Sequence, residues 1–169
     1  MNTTLQSWNA ADTSDAIESM IACCGSRRWV EAMVALRPIA SVLKLSESAD
    51  HVWGTMNEAD WMEAFATHPR IGERKAAHAT AKSAAWSSQE QSSAVSAEAS
   101  VLEELAQGNA LYEQRFGFTY IVCATGKTAD EMLTILNRRL TSDRATELRE
   151  AAEQQRQIMQ IRLGKWLVE

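Results

Sequence analysis

Proline and glycine are scarce in this chain, with two prolines and seven glycines in 169 residues. So little punctuation argues against a many-turned β protein and favours helices. Cysteine is scarce as well: Cys23 and Cys24 are adjacent, and Cys123 stands alone. Adjacent cysteines rarely bridge each other and an odd count suits reduced thiols, so the expected compartment is the cytoplasm. No CxxC occurs, and His51, His68 and His78 show neither HxxxH nor HExxH spacing, so no metal site is expected. Gly-rich nucleotide loops of the GxGxxG and Walker A kinds are also missing. No run of about 18 apolar residues is present, so no membrane span is expected. There is no basic block, and the net charge of −5 makes nucleic acid an unexpected partner. The N-terminal MNTTLQSWNAADTSD has neither a basic nor an apolar leader region, so no signal peptide is expected.

What is present is helical periodicity. A composition of 46% hydrophobic and 23% charged residues suits one globular domain over 1–169 with a real core. Ile17, Met20, Ile21 and Cys24 fall on one helical face, and Gly25 stops them. Trp29, Met33 and Leu36 repeat the pattern before Pro38. Asn57 reads as the N-cap of a helix carrying Trp61, Met62 and Phe65, ending at His68 because the residue before proline is pushed out of the α region. The small, polar GERKAAHATAKSAAW reads as a weak helix or a surface excursion. A helix is expected from near Ser87 to about Gln107, with Ala94, Ala97, Val101 and Leu105 on one face and a break at Gly108 and Asn109. A short helix, ALYEQRFG, should close at Gly117, and FTYIVCA is the one β-like run. Thr128 and Glu131 make a capping box, and the last helix spans about Arg144 to Trp166. The expected architecture is an all-α, single-domain helical bundle with one extended segment near 118–124.

Three polar features call for an explanation. Leu148, Ala152, Gln155, Met159, Arg162 and Trp166 share one stripe of the last helix, which puts a guanidinium on a mostly apolar face. Such a group needs an acidic partner or ligand, and its planar fork suits a carboxylate. The alternative is an arginine that snorkels past the core edge to a structural glutamate. In WSSQEQSS, Ser87 with Glu90 and Ser88 with Gln91 both fit a capping box; a helix N-terminus there would also attract an anion. His68, in FATHPRIGERK, stands immediately before Pro69 at a helix end, a place suited either to a structural role or to proton transfer. Together these residues suggest acid/base chemistry on a small anion, without naming it.

HPRIGE, the downstream SSQEQ, YEQRFGFTYIVCATGK and the terminal IMQIRL occur in an order that resembles the OHCU decarboxylases, over about Trp8 to Leu163. These enzymes act on 2-oxo-4-hydroxy-4-carboxy-5-ureidoimidazoline (OHCU) in urate breakdown. The resemblance implies an all-α carboxy-lyase that uses no cofactor, works as a homodimer and yields (S)-allantoin. Position by position, it implies that His68, Glu90 and Arg162 are catalytic. It implies that Pro69, Ser87 and the backbone of Phe118, Thr119, Tyr120 and Ile121 bind substrate. Many members have proline and phenylalanine where this chain has Thr119 and Tyr120. The terminal WLVE carries no peroxisomal signal, and no transthyretin-like domain is fused, so a stand-alone bacterial-type enzyme in the cytoplasm is expected.

The implied chemistry gives each residue a task. Arg162 anchors a substrate oxygen or carboxylate, and His68 is the acid/base. Glu90 holds ureido or ring N–H groups or sets the protonation state of His68, while Ser87 adds a hydrogen bond. Pro69 ends the helix and orients His68, and Gly72 lets the chain turn away. Two other classes remain open: a helical ureide-binding module without turnover, and an acid/base hydrolase of a related ureide.

Overall fold

The computed structural model describes residues 2–73, 78–92, 94 and 97–169. Among these residues the regular structure is entirely helical, as expected, and FTYIVCA forms no strand. The helices are α1 (Thr3–Ala10), α2 (Thr13–Met20), α3 (Arg27–Ala35), α4 (Val42–Gly54), α5 (Glu58–Phe65), α6 (Ala81–Glu90), α7 (Ala99–Phe116), α8 (Ala129–Arg139) and α9 (Arg144–Trp166). The chain divides into two compact units, Met1–Ala64 with Arg156–Glu169, and Phe65–Gln155.

In the first unit, side-chain caps start the helices. Asn2, Ser26 and Ser41 each accept a hydrogen bond from a first-turn N–H of α1, α3 and α4. Asn57 and Asp60 bond each other's backbone N–H at 3.1 and 2.9 Å, which opens α5 as the sequence suggested. Tryptophans organise this core. The Trp8 indole donates to Ala16 O at 2.9 Å and meets Trp166 edge-on at 5.9 Å, while the Trp29 indole donates to Ala49 O. Trp8 and Trp29 therefore bury their apolar bodies and still satisfy their one polar group.

In the second unit, α7 and α8 pack together, and two expectations fail there. The helix containing Ser87 begins at Thr80, whose hydroxyl accepts from Ser83 N, and it stops at Glu90. Ala81, Ala84 and Ala85 are strong helix formers, so the run AKSAAW is helix rather than excursion. Residues 74–77 of that stretch lie outside the described residues. The second failure concerns Gly108 and Asn109, which do not break a helix: α7 runs through both. A Cβ at Gly108 would lie 2.6 Å from Leu136 Cδ2, so glycine is there to let α8 approach. Asn109 is buried and donates to Ile71 O at 3.4 Å. The Thr128–Glu131 capping box of α8 and the limits of α9 agree with the sequence.

Candidate functional site

α5 ends at Phe65, and a turn follows in which His68 N–H donates to Phe65 O at 3.1 Å. Pro69 behind it is buried, so the turn is anchored, while the His68 side chain stays half-buried. Gly72 adopts φ +93°, a conformation that other residues rarely hold, and its N–H donates to Gln91 Oε1 at 3.0 Å. That bond ties the turn after His68 to the residue that follows Glu90.

His68 has a partner that sequence reasoning passed over. Its Nε2 lies 2.6 Å from Oε1 of Gln155, a residue with no exposed surface on α9. With that oxygen as acceptor, Nε2 carries the hydrogen and Nδ1 is the basic nitrogen of the neutral ring. The Gln155 amide Nε2 is buried and has no hydrogen-bond partner among the described residues. The neighbouring Gln154 accepts from Cys123 N–H at 2.9 Å. Burial first, and the Glu90 charge to a lesser degree, push the Cys123 thiol up, so Glu90 is within electrostatic reach of the 118–124 segment. Two stretches far apart in sequence therefore meet α9 at adjacent residues in the second unit, the His68 turn at Gln155 and the segment after Gly117 at Gln154, and the Gly72–Gln91 bond ties the residue after α6 to the first of them.

Ser87 is buried and Glu90 half-buried in the last turn of α6. The capping reading is thus overturned, and so is the anion site at a helix N-terminus, because this end of the helix carries the opposite dipole. The two residues still share a face at i and i+3.

Phe118, Tyr120 and Ile121 are buried, and Phe118 packs on Phe65 and Tyr112. Thr119 is half-buried, and its side chain contributes slightly to lowering the Glu113 pKa. The side chains of this segment thus serve the core, and what they leave for a ligand is main chain. The N–H groups of residues 118–122 have no hydrogen-bond partner among the described residues. N–H groups left so are open to water or to a ligand.

Arg162 belongs to the first unit. It is 1% exposed, so it does not snorkel to an edge. Its Nη1 donates to Ala22 O at 3.2 Å. Its charge also acts on the Cys24 thiol, which burial nevertheless pushes up to about 12.

An open cleft of about 530 Å³ on the second unit is lined by Arg70, Ile71, Glu73, Asn109 and Glu113, and by none of the predicted site residues. Glu113 and Glu73 already bond Arg70, so the cleft offers a ligand little unmatched charge. No group of three or more His, Cys, Asp or Glu residues suited to a metal occurs among the described residues.

The OHCU decarboxylase family model matches residues 9–164, both units included. The chain belongs to the OHCU decarboxylase family. It is 38% identical over 144 residues, 85% of its length, to the uric acid degradation bifunctional protein TTL of Arabidopsis thaliana, covering 44% of that protein. It is 26% identical over 167 residues, 98% of its length, to the bifunctional protein PucL of Bacillus subtilis, covering 33% of it. The chain thus spans less than half the length of these two relatives. A 2-oxo-4-hydroxy-4-carboxy-5-ureidoimidazoline decarboxylase of Haloferax volcanii matches at 26% identity, over 96% of this chain and 95% of that one. Among solved structures, an OHCU decarboxylase crystallised in the presence of (S)-allantoin superposes with a TM-score of 0.77 at 32% identity, over 94% of this chain and all of that one.

Proposed function

We propose that the chain decarboxylates OHCU to (S)-allantoin in urate degradation, using its own side chains and no cofactor. The observation that carries this reading is the meeting of the His68 turn and the 118–124 segment on Gln155 and Gln154 of α9, in a member of this family. The family match spans both units and supports treating 1–169 as one functional domain.

Loss of carbon dioxide breaks a C–C bond and leaves its electron pair on the ring. The adjacent ring C=N accepts that pair: a ring C=C forms, and the nitrogen takes a proton. The hydroxyl on the decarboxylated carbon then becomes the carbonyl as it gives up its proton. The neighbouring carbon, which bears the ureido group, receives one proton. The substrate is therefore its own electron sink, and the protein must orient it, stabilise charge and move protons.

His68 is the acid/base. Its Nε2 hydrogen is held by Gln155, so Nδ1 is the nitrogen that takes the hydroxyl proton and returns it to carbon. Glu90 accepts from ureido or ring N–H groups or sets the protonation of His68, Ser87 adds a hydrogen bond, and Pro69 fixes the turn. The N–H groups of Phe118 through Ile121 bind substrate oxygen. Arg162 is assigned the substrate carboxylate or an oxygen, an assignment that rests on the IMQIRL resemblance. Cytoplasmic location and a homodimer belong to the same reading, and light scattering of the purified protein checks the dimer. The deciding experiment supplies freshly made OHCU and follows carbon dioxide release. Ammonia or urea as product would point to a hydrolase, and saturable binding without any product to a ureide-binding module.

A further inference from the structure

A buried polar cluster joins α7, α8 and α9 in the second unit, with Glu147 bonded through Oε1 while its Oε2 has no partner among the described residues. Arg139 on α8 and Glu147 on α9 are 2% and 1% exposed. Arg139 Nε donates to Glu147 Oε1, the oxygen that also accepts the Tyr112 hydroxyl. Arg139 Nη2 reaches both Glu147 and, at 3.3 Å, the Tyr112 hydroxyl. The guanidinium lies 4.9 Å from the Tyr120 ring centroid, and the Tyr120 hydroxyl donates to Met132 O on α8. One further donor, Nη1, leaves this cluster and binds the main-chain carbonyl of Ile121 at 2.6 Å.

That last bond matters because residues 118–124 form no helix or strand, so no regular ladder sets their peptide planes. A trans peptide is planar, and its C=O and N–H point in opposite directions. Holding the Ile121 carbonyl toward Arg139 therefore turns the Val122 N–H away from the buried cluster. That N–H has no hydrogen-bond partner among the described residues, whereas the next one, Cys123 N–H, is taken by Gln154.

We propose that Arg139, held by Glu147, is a positioning residue that sets the Ile121–Val122 peptide so that the Val122 N–H is a donor to the substrate. This rests on the decarboxylase reading above. A charged donor on the carbonyl also polarises the peptide and strengthens its N–H. Arg139 itself contacts no substrate.

The test combines kinetics with amide exchange on the full chain. Wild-type protein is first assayed with OHCU; failure to release carbon dioxide would sink the decarboxylase reading itself. Given an active wild type, Arg139→Lys keeps the charge but loses the fork that serves Glu147 and Ile121 together. It is expected to lower kcat/KM at least tenfold per folded molecule and to weaken (S)-allantoin binding about as much, well below its melting temperature. Thr128→Ala, which removes the α8 cap, is the stability control and should keep KM and kcat within about twofold. Equal kinetics for wild type and folded Arg139→Lys would overturn the proposal. Exchange on wild type does not depend on any variant folding. Saturating (S)-allantoin should slow exchange of the Val122 amide at least tenfold, and an unchanged Val122 amide in the allantoin-bound protein would also overturn it.

Discussion

The chain buries two arginines almost equally, and their surroundings differ. Arg139 sits among matched groups: a glutamate, a tyrosine hydroxyl, an aromatic face and one carbonyl take its donors. Burial works against its charge, but the Glu147 hydrogen bond and nearby charges outweigh that, and its pKa is raised. Arg162 gives Nη1 to the Ala22 carbonyl and acts on the Cys24 thiol. Burial alone therefore says little about what an arginine is for. On the proposals above, Arg139 acts through the carbonyl it holds, and Arg162 is assigned to the substrate through the IMQIRL resemblance.

The comparison breaks hardest at Glu147. Glu147→Ala leaves Arg139 charged and buried without its carboxylate, a change that costs about 3–5 kcal/mol. A fall in melting temperature of about 10 °C is expected, since each kcal/mol is worth roughly 2–4 °C in a chain of this size. A shift under about 2 °C in calorimetry would mean the pair contributes little.

His68→Ala sets the scale on the activity side. It should lower turnover about a hundredfold or more while the helical far-ultraviolet spectrum is kept, because His68 lies beyond the end of α5; loss of its bond to buried Gln155 should cost about 1–3 kcal/mol, a melting shift of several degrees. Near-normal turnover in the folded variant would remove His68 from the mechanism. Arg162→Lys follows, with a loss of about tenfold to a hundredfold and retained helix content, since lysine cannot bind a carboxylate through two parallel hydrogen bonds. If Arg162→Lys instead lowers melting temperature as Glu147→Ala does and keeps kcat/KM, the two arginines are alike and both are structural.

The smallest effect belongs to an exposed arginine. Arg70 binds both oxygens of Glu113 at 2.7 Å and, foremost through those hydrogen bonds, lowers the Glu113 pKa. A carboxylate depressed by folding stabilises the protein above its unfolded value, near 4.3, and loses that contribution as pH falls through the folded value. Both side chains are partly exposed, so the pair is worth only ~0.5 kcal/mol. Arg70→Met should therefore be slightly less stable than wild type at pH 7, and the gap should close as pH falls through the depressed Glu113 value. A gap that widens on acidification would contradict this.

Much of this was legible in the sequence where local signals agree. The stripe from Leu148 to Trp166 gave α9 its limits, and Asn57 and the Thr128–Glu131 pair marked helix starts. Misreadings arose where a local signal imitated another or where packing decided. Ser87–Glu90 has capping-box spacing, yet it lies at the wrong end of a helix that Thr80 caps without a glutamate in its first turn. Gly108 looks like a breaker until Leu136 is set against it. Gln155 was visible on the same apolar stripe as Arg162, but an uncharged amide drew less attention than a guanidinium. The Arg139–Glu147 pair joins two helices and a carbonyl of a third segment, and no spacing rule on one strip of sequence reports such a meeting. The grouping of His68, Glu90 and Arg162 came from the ordered motifs of the family rather than from any one residue.

The most direct test of the account is the handedness of the product. OHCU loses its carboxylate unaided, so allantoin formation alone proves little. Water can protonate the planar ring carbon from either side. A site with His68 on one face delivers the proton from that face, and a difference of about 1.4 kcal/mol between the two approaches already gives roughly tenfold selectivity. Circular dichroism of the small-molecule product, read early and with turnover well above the spontaneous rate, should show strong enrichment in (S)-allantoin. A racemic product under the same conditions would contradict guided protonation and, with it, the assignment of His68.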